Sequence, residues 1–492
     1  MRPKLRTAAE SHATLLDLRV FGGIAVKIAT AVLQFLAIPV IIWQAGLETY
    51  GLFGIFSILI IYFAMADLGI TKSTLRFVSM SLAEDVSEVF SVIFILTAVF
   101  CLFFVGIGLL LSDPILWLMG IEATTSNRTI YYLALATSLL FVARSLYVSV
   151  MYALERFRFA YNTTVAFDML RWGASIAAVT LFKETLLALI LVVALSTFAH
   201  VVMLAYVVHF PNRVRIAIPK NASLMKAILH YSFSVFAIDI FNKVSSYTDK
   251  ILVASTGVVV NFAHYYIAFQ VVGKISDFLS AATIPYIQSV AKLFSRSDKA
   301  AIRATINAAF DKVGILFLPL IFSLLVFGKT YLSLWLDPVT AAEVYPFLAV
   351  LSAGYAMSIY GTITINLANA VGQTSISVLS TALMAGTILV GGLLTLPTYG
   401  PLGMSVVWTA SQVIPLVIVF PVTMRVLGIG RIRLVLRAFA TIAWIAATFF
   451  LAKVLAHALF LTPTSYEMLV PAIAALALSY SPTLLSLVRN HT

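Results

Sequence analysis

The sequence holds one cysteine, Cys101, in 492 residues, so no intramolecular disulfide can form and dithiol redox or thiolate-metal chemistry is excluded. No Gly-x-x-x-x-Gly-Lys-Ser/Thr run occurs, which removes ATP binding through a Walker loop, and the seven scattered histidines form no His-Glu-x-x-His or similar ligand cluster. Charge is scarce: 11% of residues are charged against 61% hydrophobic. Long polar stretches are missing too. No connection between apolar runs exceeds about 20 residues, so there is no room for a folded soluble domain or for a long outer loop carrying paired carboxylates. A membrane glycosyltransferase or polymerase, the reading from another functional class, needs such a loop and is disfavoured. The expectation is a protein that is not an enzyme, with no catalytic residues, metal or cofactor.

What is present is one apolar run after another. A membrane-spanning helix needs about 20 mostly apolar residues. That template predicts spans near 17–43, 49–72, 86–111, 128–151, 163–182, 185–208, 228–254, 262–291, 303–327, 342–368, 375–396, 400–425, 434–456 and 465–488. The predicted fold is thus an all-α polytopic membrane protein of about fourteen helices; the runs are too long for barrel strands. Residues 1–16 carry Arg2, Lys4 and Arg6 without an apolar stretch, so no signal peptide is expected and the first span is an anchor.

The net charge of +12 would suggest nucleic acid in a soluble protein. Here it is sorted by side. Arg2, Lys4, Arg6, Lys72, Arg76, Arg156, Arg158, Lys220, Arg296, Lys299, Arg431 and Arg433 fall at alternate span ends, against Arg128, Lys183 and Lys329 at the others. The positive-inside rule makes the first group cytoplasmic, with both termini. The basic balance therefore describes topology in a plasma (bacterial inner) membrane and contact with anionic lipids, and no nucleic-acid partner is expected.

The halves also rhyme at an offset of about 215 residues. Leu116-Trp117-Leu118 closes the third span and Leu334-Trp335-Leu336 the ninth; Glu84-Asp85 and Asp298 precede them. Six spans plus six in the same orientation imply two lobes related by an axis along the membrane normal, with a site between them. The expected divisions are an N-terminal lobe over 1–215, a C-terminal lobe over 216–428, and two additional spans over 429–492.

Ionisable residues inside such spans are costly and mark function by default. Their spacing follows helix faces, at steps of three and four. Span one carries Lys27, Thr30 and Gln34, and span five Thr164, Asp168, Arg171 and Ser175. Asp239, Lys243, Ser246 and Lys250 line span seven beside Asp249, while span eight carries Gln270, Lys274 and Asp277. Arg144 stands in span four without a nearby acid. The candidate substrate-binding cations are Lys27, Arg144, Arg171, Lys243, Lys250 and Lys274. The acids Asp168, Asp239, Asp249 and Asp277 are candidate coupling groups or charge-pair partners, the local pairs being Asp168 with Arg171, Asp239 with Lys243, and Lys274 with Asp277. Surplus positive charge favours an anionic ligand such as a phosphate or diphosphate. Trp117, Tyr131, Tyr132, Tyr331 and Trp335 gather at the predicted outer interface, as an aromatic belt does.

Several short motifs are similar to those of the Wzx-type polysaccharide-biosynthesis flippases of the multidrug/oligosaccharidyl-lipid/polysaccharide (MOP, MATE-like) exporter superfamily. They are Gly46-x-x-x-Tyr50-Gly51, Asp67-Leu68-Gly69 with Arg76, Tyr247-x-Asp249-Lys250, Tyr266 with Ala268 and Pro285, and Ala370-Val371-Gly372-Gln373, spread over about 17–425. The resemblance implies two six-helix lobes working by alternating access. It implies as substrate a polyprenyl-diphosphate-linked oligosaccharide for O-antigen, capsule or exopolysaccharide assembly, with a polysaccharide polymerase and a chain-length regulator as partners. It points to Lys27, Lys250 and Lys274 as diphosphate contacts. Before Gly46, where a basic residue is common in the family, Ile42-Trp43-Gln44 stands here, and after Gly372, where a lysine is common, Gln373 stands. Within the same fold, a lipid II flippase or a cation-coupled multidrug exporter is the alternative; the latter is expected to have an acid-dominated cavity.

Overall fold

The computed structural model describes residues 29–64, 69–80, 86–182, 185–218, 221–296, 298–459 and 467–489. Lys27 and Asp67 lie outside these residues, as does the side chain of Asp239. The fold is all-helical, as the composition predicts. In chain order the helices are α1 (Ala29–Ala45), α2 (Leu47–Phe63), α3 (Ile70–Met80), α4 (Val86–Leu110), α5 (Ser112–Leu118), α6 (Thr125–Ala153), α7 (Phe157–Leu181), α8 (Thr185–His209), α9 (Ala222–Ala254), α10 (Val259–Ser295), α11 (Lys299–Trp335), α12 (Pro338–Ala370), α13 (Thr374–Ser411), α14 (Ile414–Val426), α15 (Arg431–Leu459) and α16 (Leu469–Arg489).

Eight stretches among the described residues are helices long and apolar enough to cross a bilayer, one of them the 53-residue run Thr374–Val426. At 1.5 Å per residue that run is far longer than a bilayer is thick. It breaks at Gly400, whose φ of 59° and ψ of −156° sit between Pro397 and Pro401. That backbone region is close to glycine-only, and the flanking prolines remove two helix donors. The expected boundary between the eleventh and twelfth spans falls here. Gly46 (φ 88°, ψ 157°) makes a similar joint between α1 and α2.

Other boundaries differ from expectation. The predicted span 49–72 is two helices, α2 and α3, with Gly69 at φ 76° just before the second. α5 was not expected as a separate helix. Leu116-Trp117-Leu118 ends this short α5, whereas the third span, α4, ends at Leu110; Trp335 ends α11. Two tyrosines of the expected aromatic belt make hydrogen bonds within the protein: Tyr131 is buried and donates to the Gly108 carbonyl at 2.7 Å, and the Tyr331 hydroxyl lies 2.6 Å from that of Ser323.

Side chains cap some of the helix starts, as Thr124, Asp298 and Asp337 do. The Asp337 carboxylate accepts from the amides of Val339 and Thr340, both at 2.9 Å, with Pro338 as the first helical residue of α12. Burial raises the Asp337 carboxyl, but the hydrogen bonds from Thr340 and Val339 outweigh it and hold the group below its ordinary value.

The chain divides into two compact units, the first ending at Ala237 and the second beginning at Ile238. In the first, α6 is central, packing on α2, α3, α4, α5, α7 and α8. Its apolar core joins Val89, Phe90 and Ile93 of α4 to Leu146, Val150 and Met151 of α6, and to Leu204 and Val208 of α8. In the second, α12 is central and packs on α10, α11, α13 and α14, while α15 and α16 pack on each other and on α11.

Candidate functional site

In the first unit the predicted seam on α7 meets α6 and α8. Asp168 of α7 receives the Arg144 guanidinium of α6 at 3.2 Å, and Arg171, one turn on, lies 3.8 Å from the same oxygen. One carboxylate thus lies within ion-pair distance of two guanidiniums. The side chains are 14% (Arg144), 28% (Asp168) and 24% (Arg171) exposed. They are neither sealed in the core nor freely hydrated, a setting where charge acts strongly on an incoming ligand. A guanidinium offers five donors in a planar fork, so Arg144 keeps donors beyond the one aimed at Asp168.

Behind this cluster is a residue that spacing did not single out. His200 of α8 is fully buried, stacks on Phe167 with centroids 4.7 Å apart, and lies 3.2 Å through Nε2 from the Thr163 hydroxyl. Its Nδ1 and the Thr164 hydroxyl, also buried, have no hydrogen-bond partner among the described residues. Ser175, the last member of the seam, is buried and spends its hydroxyl on the Arg171 carbonyl of its own helix.

The second unit holds the other described candidates in two settings. Lys250 and Asp249 form a closed knot. Their Nζ–Oδ2 distance is 3.1 Å, and their side chains are 5% and 0% exposed. The Lys250 ammonium also donates to the Ser246 carbonyl at 2.8 Å and sits 3.3 Å from the centroid of the Phe269 ring. Tyr265 completes the knot by donating its hydroxyl to Asp249 at 2.6 Å. Every charge here is compensated within the protein, so a ligand reaches Lys250 only by opening the pair. Lys274 is different: its bond to Asp277 is 3.4 Å long, and the Asp277 side chain is 69% exposed. The half-buried Lys243 lies on α9 between these settings. The structure therefore brings together Arg144, Asp168 and Arg171, and separately Asp249 with Lys250, and Lys274 with Asp277.

No protein-family model and no curated protein sequence matches the chain. Solved structures do. A lipid II flippase, MurJ, in an inward closed conformation superposes with a TM-score of 0.77 at 10% identity, covering 95% of this chain and 100% of that one. An inward-facing multidrug resistance MATE family transporter of the MOP superfamily gives 0.65 at 14% identity over 82% of this chain and 98% of its own. The chain has the fold of the MOP-superfamily transporters. A MOP superfamily transporter from Pyrococcus furiosus, described as having a binding pocket of reversed polarity, gives 0.54 at 14% identity, covering 82% of this chain and 95% of that one. These proteins are transporters and flippases, not enzymes, and theirs is a multi-pass membrane fold.

Proposed function

We propose that this protein is a flippase that carries a polyprenyl-diphosphate-linked oligosaccharide across the bacterial inner membrane for cell-surface polysaccharide assembly. The observation that carries the reading is the cluster of two half-buried arginines on one carboxylate, Arg144–Asp168–Arg171. Arg144 keeps guanidinium donors beyond its bond to Asp168, and phosphate is the group the guanidinium fork fits. Lys274, loosely paired in the second unit, and Lys27 are the further diphosphate contacts that the family resemblance suggests. A drug exporter that takes up cations needs a free acid. Of the candidate coupling acids, those whose side chains are described, Asp168, Asp249 and Asp277, are instead each within ion-pair distance of a base.

The protein reconstituted in liposomes is expected to move a fluorescent polyprenyl-diphosphate oligosaccharide between leaflets and to leave a cationic dye in place. Dye transport without movement of the lipid would overturn the proposal. A second reading, lipid II translocation, is favoured by the likeness to MurJ across 95% of the chain. It shares the diphosphate chemistry and is separated by offering lipid II in the same assay. In the biosynthetic reading, the delivered oligosaccharide goes to a polysaccharide polymerase and its chain-length regulator at the outer leaflet.

The same proposal sets the orientation. Both termini face the cytoplasm, so reporters fused after Lys220 and after Arg433 are each expected to signal cytoplasm. An outer-side signal from either one contradicts this orientation.

A further inference from the structure

Inside the second unit is a cavity of about 200 Å³ lined from α9, α10, α12 and α13. Its character differs from that of the charged clusters. No ionisable acid or base other than a tyrosine lines it. One side is aromatic: the Tyr355 and Trp408 ring centroids lie 4.7 Å apart, and Phe269 lies 5.4 Å from Trp408 at an interplanar angle of 79°. The rest is mostly polar, with Ser245, Ser276 and Thr362 beside Met384.

The polar inventory is what points to a ligand. The hydroxyls of Ser245, Ser276, Thr362 and Tyr355 and the indole N–H of Trp408 make no hydrogen bond among the described residues. Tyr355 and Trp408 are each 6% exposed and Ser245 is 8% exposed. Ser276 and Thr362 are only partly buried, so these groups open onto the cavity and their donors and acceptors are free to meet a ligand there. The nearby ammonium of Lys250 is held by Asp249, so the cavity offers nothing to a phosphate.

A pyranose ring matches each feature. Its C–H faces are apolar and stack on aromatic rings, while its rim of hydroxyls both donates and accepts. The volume suits one small ring; pockets for larger ligands run to roughly 300–1,000 Å³. A quaternary ammonium would suit the aromatic side but would leave the hydroxyls and the indole N–H unpaired.

We propose that this cavity is a binding subsite for one neutral sugar ring of the transported saccharide. The inference rests on the flippase reading for its physiological ligand, but its test does not depend on transport. Purified protein in nanodiscs is mixed with millimolar glucose, galactose, N-acetylglucosamine or tetramethylammonium and followed by saturation-transfer NMR. Transfer to the ring protons of at least one sugar is expected, falling at least threefold in the Thr362→Val, Ser276→Ala variant and vanishing in Trp408→Leu. Because Trp408→Leu also removes packing, the hydroxyl variant decides the matter if the melting temperature of Trp408→Leu drops. Sugar transfer that is absent from the wild type, or unchanged in the hydroxyl variant, overturns the proposal, as does transfer to tetramethylammonium alone. Sugar binding in a protein that moves no lipid would leave the subsite standing and remove the flippase reading.

Discussion

Asp249→Asn alone is expected to lower the stability of the folded protein by about 3–5 kcal/mol, the usual loss when a buried ion pair is broken on one side. Asp249 is sealed and Lys250 nearly so. The asparagine keeps an acceptor for the Tyr265 hydroxyl but leaves the ammonium against the Phe269 ring without its counter-charge. Lys250→Met alone strands the carboxylate in the same way. Asp249→Asn with Lys250→Met removes both charges at nearly constant volume and is expected to recover most of the loss, since apolar replacement of a buried pair is often neutral. Melting temperature and monodisperse yield in detergent measure all three. A single variant as stable as the wild type would show that the pair is not sealed in the membrane. If the double variant is stable and transports normally, Lys250 stands off the substrate path, and the diphosphate contact that the family resemblance suggests for it is discarded.

How much of this was readable from the residues depends on whether partners share a helix. Asp168 and Arg171 are three apart, so period alone placed them on one face, and the structure finds them within ion-pair distance. Lys274 and Asp277 follow the same logic. Arg144 was read as a cation without a local acid; its partner is 24 positions away on the next helix, a distance that helical spacing cannot bridge. Asp249 and Lys250 are neighbours in sequence, and a period of 3.6 directs adjacent side chains to different faces. A long lysine stem overcomes that by curling back to the carboxylate, and Tyr265 locks the result from α10. Tyr265 carries no local signal of that role, nor does His200. The helices themselves were legible because apolar runs of spanning length leave few alternatives. The α2–α3 break was not, because the residues around it stay apolar enough to pass for one continuous span.

Arg144→Gln is expected to slow transport of the lipid-linked oligosaccharide about tenfold to a hundredfold. Hydrogen bonds to charged groups contribute about 1.5–3 kcal/mol each, and about 1.4 kcal/mol is a factor of ten in rate. Arg144→Lys keeps the charge but loses the planar fork, so an intermediate rate is expected. The structural alternative is that Arg144 only neutralises Asp168, and a second pair of variants separates the two. Asp168→Asn leaves two guanidiniums close together without their shared carboxylate. If the cluster is internal glue, this variant loses abundance, and adding Arg144→Gln restores abundance and transport together. If Arg144 meets the diphosphate, Asp168→Asn frees donors for the ligand and lowers the substrate concentration needed for half-maximal rate. The double variant then regains abundance while transport stays slow. The anion-contact reading also predicts that raising ionic strength weakens substrate binding in the wild type more than in Arg144→Gln, because salt screens the attraction that the variant has already lost. Wild-type rates from a protein carrying both Arg144→Gln and Arg171→Gln would remove this cluster from the substrate path and with it the observation on which the flippase proposal stands.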